Sequence, residues 1–375
     1  MNQLITARQY YYEAIAPEER GQNYHRFHQM QLYKDEELGL LQLIADEKER
    51  DQEKSWLFDH VPNLSNCALL EENIKELIMR AGDNTQIMKR LSQMFVAKRR
   101  DLHPDAYATS TRREYFGDLV FFHVGLSDAC FQYTSLFAEL AYLKQLHYQL
   151  GDDAPLVKHL TQIAASHASK LALAQQKWKI ERDYVKLDDE TVVEVEKSSI
   201  ARVAEIAAGL SVQTDKFILG HEIAHHLLGH TGKANDGMRI IESLPTSCQF
   251  WQNMPAEHAR EFQADALAVC LVTGMVDPQS IAQRQKAQEK FAIQACFGAL
   301  LTITVLGQFS PDIIIASRSH PSIIDRFEQC RCILMLLTHT EVFNAIEEDI
   351  LHFQHLLYTS QRCGLGIKTV GQFEE

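Results

Sequence analysis

Apolar residues along this chain recur mainly three and four positions apart, the spacing that gathers them on one face of a helix. In the first sixty residues, rich in Gln, Glu, Tyr and Leu, the pattern is clearest over 33–57, and the Pro- and Asn-bearing stretch 61–66 breaks it. Helices are predicted over 68–79 and 85–99, followed by a loop at 101–107. A long helix dense in Phe, Tyr and Leu is expected from 113 to 150, ending at Gly151-Asp-Asp-Ala-Pro155. Another, Ala-rich in its middle, should run from 156 to about 183. The pattern changes at 184–195, where two β-prone runs flank Asp188-Asp189-Glu190 and predict a hairpin. Such a hairpin serves either as plain structure or as an edge strand for an extended peptide.

Helical spacing resumes beyond the hairpin. An Ala-rich helix over 199–210 should lead into a second one carrying the run 217–230, with Thr214 and Asp215 as its capped start and Gly229 as its stop. Pro255 opens a further helix that reaches at least Ala268. Residues 291–309 hold no charge over nineteen positions, close to the length of a bilayer span. They include Gln294, Thr302, Thr304 and Gln308 and have no companion span, so they read as a buried helix and a membrane is not expected. The fold class is mainly α with a small β-hairpin or edge sheet. It divides into a helical N-terminal region over 1–183 for scaffold or recognition, a second domain over 184–340, and a C-terminal helix and tail over 341–375.

Composition narrows the classes. Apolar content of 46% and charged content of 23% are those of an ordinary globular protein. A net charge of -13 argues against a dedicated nucleic-acid binder, because no general excess of Lys and Arg exists to neutralise phosphates. The eight cysteines form no Cys-x-x-Cys pair, and the N-terminus lacks the basic start and apolar core of a secretory signal. A reducing cytoplasm is the simplest setting.

The chemistry gathers in His221-Glu222-Ile223-Ala224-His225. Four-residue spacing puts His221 and His225 one helical turn apart on one face, where both imidazoles reach a single metal ion. Glu222 sits beside them, placed to act on a water without binding the metal. A zinc hydrolase takes three protein ligands and keeps one position for water, so a third ligand must come from downstream. The metzincin pattern fails, since its glycine and third histidine fall on Leu228 and Thr231. The helix after Pro255 is the better source: Glu261 and Asp265 lie one turn apart, so Glu261 can bind zinc while Asp265 orients a ligand histidine. Glu257, His258 and Glu242 are its rivals.

Farther on stands Ser319-His320-Pro321, with Arg326 five residues later. His-Glu-x-x-His-x4-His, then Glu-x-x-Ala-Asp, then Ser-His-Pro-x4-Arg resembles, in that order, the gluzincin peptidases related to the CAAX prenyl proteases and HtpX. The likeness covers roughly residues 199–330. It implies a zincin-like metallopeptidase domain, one zinc ion per chain on His221, His225 and Glu261, and Glu222 as general base. Asp265 matches the family's acid behind the ligands, His320 a histidine near the metal that stabilises an oxyanion or gates the open position, and Arg326 an arginine that braces this loop by ion pairing. His230 matches a family position and reads as structural, while His226 packs or meets solvent. The best-known relatives are membrane enzymes, and this chain lacks their several spans, so their prenylated or membrane substrates do not carry over. A soluble zinc endopeptidase acting on a protein or peptide is the expectation. Two other readings use the same residues: an inactive zincin-like binding or regulatory protein, and a narrow-specificity protease of the phage-exclusion type.

Overall fold

A computed structural model of the chain describes residues 5–17, 48, 64–99, 105–111, 115–152, 154–159, 162, 166, 200–232, 235–309 and 321–360. All but residue 48 of the expected helix over 33–57, the hairpin over 184–195, most of the 156–183 helix, and His320 lie outside the described residues.

The protein is mainly α, as its apolar spacing predicts. Two short elements, β1 (Ile5–Thr6) and α1 (Ala7–Tyr10), precede α2 (Ala68–Arg80), which matches the predicted helix, and α3 (Thr85–Leu91). Sequence spacing continues the latter helix to residue 99, but the chain turns into strand β2 (Phe95–Arg99) instead. Strand β3 (Ala106–Ser110) replaces the end of the expected loop. The helix expected from 113 begins only at α4 (Val124–Leu150), after β4 (Tyr115–Phe116) and β5 (Asp118–His123). All six residues of β5 are buried, so its apolar run carries no alternation to separate it from a buried helix. Gly117, at φ 98°, forces the break: a Cβ there would lie 2.1 Å from the Gln93 carbonyl oxygen. β5 is the middle strand of three, parallel to β2 (Ala97 opposite Phe121) and antiparallel to β3 (Ala108 opposite Val120). β1 and β4 form a separate parallel pair.

The helix at the centre is α5 (Ala201–Leu227), one continuous element where two were expected. Thr214 and Asp215 are interior residues of it. The Thr214 hydroxyl donates to the Ser211 carbonyl at 2.8 Å, and Asp215 accepts from the Ser127 hydroxyl of α4 at 3.1 Å. A bond within the helix and one from a neighbouring helix thus engage the polar groups that in isolation favour a cap. Gly229, at φ 72°, ends the helix as predicted. After it come α6 (Met238–Glu242), α7 (Ala256–Thr273), α8 (Pro278–Ala282), α9 (Glu289–Phe309), α10 (Ile323–Leu337) and α11 (Thr340–Ser360).

Helices α4, α7, α9 and α2 all pack on α5, and one apolar core runs from Cys67 to Leu357. Lys216 of α5, itself buried, pairs with Glu76 of α2, and Arg80 of α2 reaches the Val272 carbonyl and Gln294. By length and composition α9 is apolar enough to cross a membrane, yet most of it is buried against α5, α10 and α11. Its Gly298 faces α5 so closely that a Cβ would come within 2.6 Å of the Gln213 carbonyl oxygen. Gly298→Ala is therefore expected to push the two helices apart and cost about 1–3 kcal/mol, read as a lowered urea midpoint. Unchanged stability would mean that α9 docks less tightly than this contact indicates.

Candidate active site

The last two turns of α5 carry His221, Glu222 and His225. α7 crosses them at close range, with Val272 and Ala268 3.5 and 3.7 Å from where a Gly220 Cβ would stand, and it brings Glu261, Gln263 and Asp265. α10 supplies Arg326, just inside a start capped by the Ser322 hydroxyl. The small sheet closes the other side. Buried His226 donates from Nε2 to the Leu119 carbonyl of β5 at 3.0 Å, which ties the sheet to α5 rather than meeting solvent. Glu222, 8% exposed, lies on the face of α5 that β3 packs against, where the backbone N–H of Ala108 slightly favours its charged form.

Three side chains converge. The two Nε2 atoms of His221 and His225 face each other at 3.2 Å, and the Glu261 carboxylate oxygens stand 3.5 and 3.6 Å from them. Among the described residues His221, His225 and Glu261 are the cluster whose donor atoms all lie within 4.8 Å of one another; the rivals Glu242, Glu257 and His258 do not join it. Donors about 2.1 Å from one tetrahedral zinc are themselves about 3.4 Å apart, so these separations suit a single ion. Behind the cluster, His221 Nδ1–H donates to Asp265 at 2.8 Å, so Nε2 is the nitrogen left to hold either a proton or a metal ion. Asp265, wholly buried, also takes a two-pronged grip from Arg326, Nε at 2.7 Å and Nη2 at 2.8 Å. Two facing nitrogens with a carboxylate at their side repel one another unless a proton or a metal cation lies between them. The donor set fits zinc.

Electrostatics among the protein groups agrees. Burial works against charge on His221, yet Asp265 and Glu261 beside it raise its pKa to about 10. Burial and the neighbouring His221 charge push His225 down to about 3. Against burial, His221 and Arg326 hold the Glu261 carboxyl well below the usual carboxylate range, and Arg326 and His221 do the same for Asp265. The Arg326 guanidinium is held up by those two acids in spite of burial. Burial, helped by the neighbouring Glu261 and Asp105 and opposed by His221, raises the Glu222 carboxyl to about 8. The pocket demands positive charge.

The family model described as Peptidase U49 matches residues 129–344, more than half of the chain and every described residue of this cluster. The chain belongs to the peptidase U49 family. Comparison with the curated proteins and with the solved structures gives no match. A peptidase acts on a protein or peptide, and the cluster lies inside the matched region.

Two contacts of this cluster escape sequence reasoning. His230 reaches the Nδ1 of His225, and Gln263 reaches His230. Only the spacing after His225 hints at the first, and nothing in the sequence marks the second. The hairpin expected to flank the site falls outside the described residues, and the strand seen against Glu222 is β3.

Proposed function

We propose that the protein is a zinc-dependent endopeptidase of the gluzincin type, with zinc on His221, His225 and Glu261 and Glu222 as general base. The observation that carries this reading is the 3.2–3.6 Å spacing of three donors, with the Nδ1 atoms of both histidines already engaged on the far side. Zinc bound there supplies Lewis acidity, which polarises a peptide carbonyl and makes water nucleophilic near neutral pH.

The chain's own groups do the rest. Asp265 holds His221 in the tautomer that presents Nε2, and Arg326 holds Asp265. The Ala108 N–H of β3 favours the carboxylate form of Glu222. From there Glu222 takes a proton from the attacking water and delivers it to the leaving amine nitrogen. The resemblance to CAAX and HtpX-like peptidases supports this assignment and offers His320 as the donor to the oxyanion. Seven cysteines among the described residues, six of them buried, form no disulfide, which fits work in a reducing cytoplasm.

Elemental mass spectrometry of the purified protein tests the centre. About one zinc per chain is expected in the wild type, and less than a tenth of that in Glu261→Ala of unchanged circular dichroism. Equal zinc in both would remove Glu261 from the ligand set.

A further inference from the structure

We infer that His230 and Gln263 form a two-bond relay that positions His225, keeping its Nδ1 protonated so that Nε2 faces the cluster as a lone pair. The inference rests on the metal-centre reading above and adds two positioning residues to it.

The backbone puts His230 in place. Where α5 ends, the N–H of His230 bonds to the carbonyl of His225 at 2.9 Å, and the N–H of Gly229 bonds to that of His226 at 3.1 Å. This paired closure needs a left-handed residue, which Gly229 supplies at φ 72°. It folds residue 230 back over residue 225. The two rings meet edge to face, centroids 5.0 Å apart, with Nδ1 to Nδ1 at 3.0 Å. On the far side, His230 Nε2 stands 3.1 Å from the Gln263 side-chain oxygen, two residues past Glu261 on α7.

The direction of the bonds follows from what each atom can do. An amide oxygen only accepts, so His230 Nε2 carries the proton. In a neutral imidazole the other nitrogen is then an acceptor, so His230 Nδ1 receives the Nδ1–H of His225. His225 Nε2 is left bare, 3.2 Å from the Nε2 of His221. The two ligands thus have unlike supports. His221 leans on a carboxylate held by Arg326, and His225 on a neutral chain that orients without adding charge. Gln263 and Glu261 share one helix, so the same helix that gives a ligand also aligns the neighbouring one.

Chelator competition with zinc, on protein labelled with 15N-histidine, tests the relay. Gln263→Leu and His230→Phe are each expected to weaken zinc binding about 10- to 100-fold, the size seen when a ligand histidine loses its orienting partner. Because the bonds act in series, the double variant should be no weaker than the worse single one. Gln263→Glu restores an acceptor and should stay within about threefold of wild type, which a purely space-filling role for Gln263 does not require. Nitrogen shifts of the metal-free protein should show His225 protonated at Nδ1 in the wild type and in Gln263→Glu, and a mixed tautomer in Gln263→Leu. Wild-type zinc affinity and an unchanged tautomer in both single variants would overturn the relay. A wild type that binds no zinc would overturn the metal reading instead, while the nitrogen shifts still decide the relay.

Discussion

Glu222→Gln is expected to leave a folded, zinc-loaded protein whose peptide cleavage has fallen by about a hundred- to ten-thousand-fold. The amide has the carboxylate's shape, so the packing of α5 against β3 should survive. It cannot take a proton from water. Burial works against charge at this position, so the neutral amide should hold or raise the melting temperature. Zinc content, melting temperature and cleavage of a peptide library are read side by side. Cleavage at the wild-type rate would end the assignment of Glu222 as base. Retained zinc with neither protein cleaving any peptide would point to the inactive binding reading.

Arg326→Met should bring the largest loss of stability, about 3–5 kcal/mol. Arg326 is 7% exposed, forks onto the fully buried Asp265, and stands 3.7 Å from Glu261. Methionine fills much of the space but leaves the buried Asp265 and the half-buried Glu261 with only the histidines for partners. Asp265→Asn strands the guanidinium in turn. The double variant removes both charges, so its urea midpoint should lie well above the sum of the two single losses. Additive losses, or an Arg326→Met protein within 1 kcal/mol of wild type as measured, would show that this pair is not a coupled unit.

Helix existence was legible wherever one face is apolar and the ends are marked. α2, the close of α5 at Gly229 and the Glu261 helix after Pro255 all stand where spacing puts them. Strands β2 and β5 were not, because a strand buried on both faces loses its alternation and reads as a continuation of the neighbouring helix. Gly117 was the overlooked mark between them. The unbroken course of α5 was hidden for the opposite reason: Thr214 and Asp215 look like a cap until Ser211 and Ser127 are seen to satisfy them. At the site, residues on one helix announced themselves through four-residue spacing, as His221 with His225 and Glu261 with Asp265. Contacts between helices, such as Gln263 with His230, carry no such periodicity and appear only once α7 lies across α5.

The place where α5 stops has an electrostatic consequence of its own. Twenty-seven peptide units, aligned from Ala201 to Leu227, leave roughly half a negative charge at the C-terminal end. His225 lies in that last turn and His221 one turn earlier, so both imidazoles meet at the negative pole. A cation there gains about 0.3–1 kcal/mol from the macrodipole, and up to about 2 kcal/mol where solvent is largely excluded. The same field acts against charge on Glu222, in the direction that burial already pushes it. By ending the helix at Gly229, the chain fixes that pole beside the donors, and the backbone favours a positive ion there before any side chain is counted.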